Sequence, residues 1–166
     1  MGNIVFLNWI PIALILVLVY LAYIDLRSFR LPDVITLPLI LSGLLVSGFS
    51  NLGFISFQDS VIGTILGFSS LWLLNSLYRL AKQRDGIGMG DTKLLAALGA
   101  WLGWFALPSI LLMASLTGLI GGLIWLQWHK QNHRSAFPFG PFLAIAGIIE
   151  LLWPQTLQTF LLTKLA

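Results

Sequence analysis

Long apolar runs separated by short polar stretches organise this chain. The first runs from Ile4 to Ile24 and closes on Asp25. Its length of about 21 residues suits a helix crossing a hydrocarbon core, which takes roughly 20 apolar residues. Further runs follow at 31–49, 58–78, 92–106, 108–128 and 139–162. The fourth is short and rich in Ala and Gly, and Pro108 separates it from the fifth. Helices are the expected spanning elements, because a bilayer offers no water to satisfy backbone groups. No run shows the short apolar–polar alternation of a membrane barrel. The pattern predicts an all-α integral membrane protein with about six transmembrane helices. It predicts one transmembrane domain over residues 1–166 and no soluble domain.

Composition agrees. Only 9% of the 166 residues are charged and 58% are hydrophobic, whereas a soluble domain carries about 25% charged residues. The first run lacks the basic start and small-residue cleavage site of a signal peptide, so it reads as a retained span. The sequence has no cysteine, which excludes disulfides, a thiol nucleophile and cysteine-ligated zinc. The net charge of +3 does not point to nucleic acid, because the basic residues lie in short loops between spans.

Those basic residues set the topology. Arg27 and Arg30 follow the first run, and Arg79, Lys82, Arg84 and Lys93 surround the junction of the third and fourth. Lys130 and Arg134 follow the fifth. If every run spans, all three loops share one side. The opposite loops, 50–57 and 104–108, hold no Lys or Arg. The positive-inside rule makes the basic side cytoplasmic. Both termini then face outward, with Lys164 as a basic exception.

Against so few charges, two carboxylates stand out. Asp25 and Asp91 both fall at the predicted cytoplasmic edge. Asp91 follows Gly86-Ile87-Gly88-Met89-Gly90, and such glycines permit close backbone approaches. Taken alone, Asp25 also fits a helix-end carboxylate paired with Arg27 or Arg30. Taken alone, Asp91 also fits an N-capping residue after a flexible loop. Together they fit an acid–base pair. Two adjacent carboxylates resist double ionisation, so one can activate water while the protonated partner polarises a carbonyl. Asp33, beside Pro32, is a local cap, a support for a catalytic carboxylate or a residue facing substrate. Lys93 is a candidate for tuning the pair or for a lipid headgroup.

Other polar residues carry less chemistry. His129 and His133 have no acidic neighbour and read as a solvated loop or a headgroup contact, so no metal or cofactor is expected. Glu150 lies within the last apolar run and is a functional candidate by that position, away from the aspartates. Asp59 is expected to cap the third run. Pro138-Phe139-Gly140-Pro141-Phe142 reads as a helix boundary or as one wall of a substrate groove. Gly63–Gly67 and Gly118–Gly122 read as helix-contact surfaces.

In combination, these stretches resemble the type IV prepilin peptidase family, the bacterial leader peptidases with two aspartates. The resemblance rests on Asp25-Leu26-Arg27 through Leu31-Pro32-Asp33, on the segment from Gly88-Met89-Gly90-Asp91 to Trp101-Leu102-Gly103, and on Pro138-Phe139-Gly140-Pro141-Phe142-Leu143-Ala144. It implies a GxGD-type aspartyl protease of the bacterial inner membrane, with Asp25 and Asp91 catalytic. Gly88 and Gly90 match the glycines of the family's second motif. Lys93 belongs to the same loop, and Pro32, Asp33, Pro138, Gly140 and Pro141 give substrate or structural support. The implied partners are type IV prepilins or pseudopilins, cut between a basic leader and an apolar helix, together with the lipid bilayer. Without cysteine the chain resembles a short, peptidase-only form lacking the cysteine-rich methyltransferase region. The rival readings are a small transporter using Asp25, Asp91 and Glu150, a noncatalytic assembly factor for pili or secretion, and an intramembrane aspartyl protease with another transmembrane substrate.

Overall fold

The computed structural model describes residues 2–49, 55–83, 88–129 and 138–154. They form six α-helices: α1 (Gly2–Ser28), α2 (Asp33–Gly48), α3 (Phe57–Lys82), α4 (Met89–Leu102), α5 (Leu107–His129) and α6 (Gly140–Leu152). A 3-10 turn, Trp104–Ala106, joins α4 to α5. Arg84, Gly86, Ile87, Lys130, His133, Arg134 and Lys164 lie outside the described residues, as does the end of the sixth predicted run.

Helix boundaries differ from the apolar runs where local chemistry overrides hydropathy. α1 continues past Asp25 to Ser28, so Asp25 lies inside the helix. The break between the fourth and fifth runs falls at Gly103, not at Pro108. Gly103 has φ 83°, a left-handed value that suits a residue without a side chain. Pro108 instead occupies the first turn of α5, where its missing N–H has no helical partner to lose. α6 ends at Leu152; Trp153 takes an extended φ of −129° immediately before Pro154, which disfavours helix in the residue preceding it. At the start of α3 the cap is Ser56, not Asp59. Ser56 Oγ accepts from Asp59 N at 3.2 Å and donates to Asp59 Oδ2 at 2.7 Å. Trp104 Nε1 donates to the other carboxylate oxygen at 3.0 Å.

Three stretches are long and apolar enough to cross a membrane: Trp9–Ser28, Phe57–Lys82 and Trp104–Ile124. α2 and α6 are shorter apolar helices. The 14 residues of α4 rise only about 21 Å, short of a hydrocarbon core of about 30 Å. The fold is therefore all-α and multi-span among the described residues.

α4 lies at the centre. Its residues from Leu94 to Trp101 are all buried, and α2, α3 and α6 pack around it. α1 and α5 both pack on α6. Lipid tails are as apolar as leucine, so helices in a membrane associate chiefly through close packing and hydrogen bonds. Both operate here. A Cβ on Gly63 would collide with the Gly99 carbonyl, one on Gly99 with the Gly63 carbonyl, and one on Gly67 would lie 2.6 Å from the Leu95 carbonyl. Ser60 Oγ donates to the Ala100 carbonyl at 2.6 Å, and Trp101 Nε1 to the Leu39 carbonyl at 2.9 Å. On α6, Gly147 approaches the Leu98 side chain. On α5, Gly118 and Gly121 face Phe139 and Phe142 at the start of α6.

These contacts fix direction. α3 meets α4 in reverse order, Gly63 near Gly99 and Gly67 near Leu95. α2 and α6 run with α4: Leu39 meets Trp101, while Gly140 meets Asp91 and Gly147 meets Leu98. The N-termini of α2, α4 and α6 thus share one end of the bundle with the C-termini of α1 and α3. Arg27, Arg79, Lys82 and Lys93 gather at that end, though within α1, α3 and α4 and not in the loops where their sequence positions put them.

The Gly63–Gly99 contact leaves no room for a side chain. Gly99→Val is expected to lower stability by about 3 kcal/mol, read as a fall in the thermal midpoint in detergent. Gly48→Ala, whose nearest neighbour would be Phe57 at 3.7 Å, is expected to leave the midpoint unchanged.

Candidate active site

Asp25 sits on the buried stripe of α1. Leu14, Leu18, Leu21 and Asp25 are all buried, and their alternating spacing of four and three residues aligns them on one helix face. That face packs on α6. Asp25 is 4% exposed, and its Oδ2 accepts the Gly140 backbone N–H at 3.1 Å. This bond takes the place of the alternative pairing with Arg27 or Arg30; the Arg27 guanidinium lies over the Tyr23 ring, 5.2 Å from its centroid.

Asp91 is not the N-cap of α4. Gly88 takes that place, with extended φ −66° and ψ 139°. Asp91 follows as the third helical residue, 8% exposed. Its carboxylate reaches back to the Gly88 backbone N–H. This is the returning half of a capping box, in which an acidic third residue satisfies the N-cap amide. Gly88 therefore lies beside the carboxylate: a Cβ there would be 3.4 Å from Asp91 Oδ2. Gly90, between them, has a different task. A Cβ on it would lie 2.8 Å from Leu31 Cβ, so glycine lets the start of α4 approach the connection between α1 and α2.

That connection is anchored on both sides. Pro32 is the N-cap of α2, and its carbonyl accepts from Ile35 N at 3.1 Å and Thr36 N at 3.2 Å. Asp33, in the first turn of α2, pairs with Lys93 Nζ at 2.6 Å. Lys93 thus lies within α4 and not in a loop, and its ammonium binds Asp33 in preference to the headgroup or aspartate-tuning roles its position suggested. The ion pair latches the first turn of α2 to that of α4.

The third motif brings the two aspartates together. Pro138, Gly140 and Pro141 are buried, and Gly140 opens α6. A Cβ on Gly140 would lie 2.7 Å from Asp25 Oδ2 and 3.3 Å from Asp91 Oδ1. Both carboxylates therefore converge on one point at the N-terminus of α6, and the two oxygens lie no farther apart than the sum of those distances. A pair this close titrates as a unit. It can hold one proton, with one carboxylate acting as base and the other as acid.

Glu150 does not join them. It is 4% exposed and accepts a 2.6 Å bond from Ser109 Oγ of α5. Ten residues of α6 separate it from Gly140, about 15 Å along the axis. Among the described residues, no three His, Asp or Glu side chains gather as a metal site. Sequence reasoning read the stretch around Gly140 as a helix boundary or a groove wall; Gly140 does open α6, and its main-chain contact with Asp25 was missed. The available signal was a glycine directly before a proline at a helix start. Leu31 entered only as part of a motif and its contact with Gly90 was missed, because a leucine in an apolar run carries no mark of its neighbour.

Comparison with known proteins covers most of the chain. The sequence profile of the type IV leader peptidase family matches residues 12–123, which include Asp25, Asp33, Asp91 and Lys93. The prepilin leader peptidase/N-methyltransferase of Aeromonas hydrophila is 48% identical over 148 residues, covering 89% of this chain and 50% of that protein. The protein of the same name from Dickeya chrysanthemi is 47% identical over 135 residues, covering 81% and 47%. That from Pseudomonas aeruginosa is 43% identical over 145 residues, covering 87% and 49%. The chain spans about half the length of these relatives. No solved structure matches it. With Asp25, Asp91, Gly88 and Gly90 inside the matched residues, the chain belongs to the type IV leader peptidase family.

Proposed function

We propose that this chain is a GxGD-type aspartic endopeptidase that removes the basic leader from type IV prepilins or pseudopilins at the cytoplasmic face of the bacterial inner membrane. The observation that carries this reading is the convergence of two buried carboxylates, Asp25 and Asp91, on the backbone of Gly140. In the proposed reaction one carboxylate takes a proton from water, whose oxygen adds to the scissile carbonyl carbon. The protonated partner donates to the carbonyl oxygen. Collapse of the tetrahedral intermediate breaks the C–N bond, and the proton passes to the leaving amine.

The position of the pair suits such a substrate. Asp25 lies one turn before the end of α1 and Asp91 in the first turn of α4, so both sit at one end of the bundle. A precursor helix remains in the lipid while its leader junction meets the carboxylates. We place all six helices in the membrane with that end cytoplasmic, on the strength of Arg27, Arg79 and Lys82 there. Lys93, engaged by Asp33, opposes a basic leader less than its charge suggests. The proposal is confined to peptide cleavage. Glu150, held by Ser109, is assigned to helix anchoring, which disfavours a transport pathway through three acids.

Incubating the purified protein with a prepilin in detergent and reading the new amino terminus by mass spectrometry tests the proposal. Cleavage after the basic leader is expected. Asp25→Asn and Asp91→Asn should each lower the rate by about 1000-fold or more, with the helical circular-dichroism signal retained. Full activity in either variant rejects the two-aspartate mechanism.

The Lys93–Asp33 latch gives a milder expectation, because a partly exposed ion pair contributes only about 0–1 kcal/mol. Lys93→Gln and Asp33→Asn should each reduce cleavage by no more than about tenfold. The double variant should be no worse than the poorer single one, because one interaction is lost in all three. Additive losses in a kinetic double-mutant cycle would show separate roles.

A further inference from the structure

We infer that Gly140 is a positioning residue of the site: its backbone N–H fixes the Asp25 carboxylate, and its lack of a side chain keeps open the space into which both carboxylates point. This rests on the peptidase reading and assigns that site a third component, made of main chain.

Three observations carry it. The first is the hydrogen bond. Gly140 is the first residue of α6, and the opening amides of a helix have no partner within it. Its N–H goes instead to Asp25 Oδ2, across a long sequence separation. The second is the lack of competing donors. Pro141 has no N–H, and the Phe142 N–H already bonds to the Phe139 carbonyl at 3.1 Å. The start of α6 therefore directs the Gly140 amide to Asp25 while its neighbours are absent or engaged. The positive end of the helix dipole adds to the attraction for a carboxylate there.

The third is space. A Cβ on Gly140 would press on Asp25 Oδ2 at 2.7 Å, on Asp25 Cγ at 3.0 Å and on Asp91 Oδ1 at 3.3 Å. A methyl group would thus fill the point on which the two carboxylates converge. In the proposed reaction that is where the attacking water and the scissile carbonyl must be held. The burial of Pro138 and Pro141 on either side limits how far the backbone can retreat. The prolines and glycine then have separate duties: the prolines hold the main chain rigidly against the site, and the glycine leaves the site open.

Three preparations test this. Gly140→Ala adds only the methyl group. Glycolic acid at position 140, introduced by nonsense suppression, replaces the N–H with an ester oxygen and adds no side chain. Ile145→Ala, at an exposed position of the same helix, is the control. Cleavage of a prepilin is expected to lose about 100-fold in kcat in Gly140→Ala and about tenfold in the ester. KM should stay within about twofold of the unaltered protein in both, the signature of lost transition-state stabilisation. The control should match the unaltered protein. A rise in KM with kcat preserved would overturn the inference and make Gly140 a substrate-groove residue. An ester with unaltered kcat would overturn the hydrogen-bonding role.

A readout independent of cleavage separates this inference from the peptidase reading. The Gly140 amide resonance, followed by 15N-glycine labelling, should shift as pH titrates the aspartate pair, and the shift should vanish in Asp25→Asn. An amide that does not titrate overturns the inference even where the protein cleaves. A titrating amide in a protein that cleaves no prepilin supports the inference and rejects the proposed substrate.

Discussion

The close approach of α3 to α4 governs the rest of the structure. α4 is too short to span a bilayer and is buried along most of its length, so its neighbours must come near enough to replace lipid on every side. Gly63 and Gly67 on α3, with Gly99 on α4, bring the two backbones to contact. Ser60 then reaches the Ala100 carbonyl across the interface. A hydroxyl donating to a main-chain carbonyl without water is favourable in an apolar medium. These contacts set the axial position of α4, and the position of Asp91 follows.

From that scaffold the site is assembled by main chain as much as by side chains. Asp91 is returned to the Gly88 amide, and Asp25 accepts the Gly140 amide. Each carboxylate is thus held at the N-terminus of a helix, one from its own helix and one from a neighbour. Helix N-termini stabilise negative charge, and main-chain donors have no rotamer freedom to lose. Leu31 against Gly90 and Asp33 against Lys93 then close the connection of α1 and α2 onto the same end. The bundle places its acidic pair where the end of α1 meets the starts of α2, α4 and α6, while Glu150 serves the interface of α5 and α6 farther along.

The departures from hydropathy share one cause. An apolar run reports which residues avoid water but not where the backbone turns. Pro108 resembles a break, yet a proline in the first turn loses no hydrogen bond, and the chain turns at Gly103 through a positive φ. Asp59 resembles a cap, yet Ser56 one turn earlier supplies the accepting oxygen. Asp25 resembles a helix end, yet α1 continues to Ser28. Each is a question of which donor meets which acceptor within one turn, and hydropathy does not resolve it.

The sequence by itself determined the helical, membrane-type architecture, because long apolar runs admit few other structures in lipid. It also singled out Asp25 and Asp91, because charges are scarce and both fall at matching edges of their runs. Gly88, Gly90 and Gly140 were legible as glycines with a reason. What each glycine was for was decided only by tertiary structure. One caps a helix beside a carboxylate, one admits Leu31, and one meets a carboxylate from a helix 115 residues away. A glycine records only that something must come close. What comes close depends on residues distant in sequence, and the packing around α4 determines which they are.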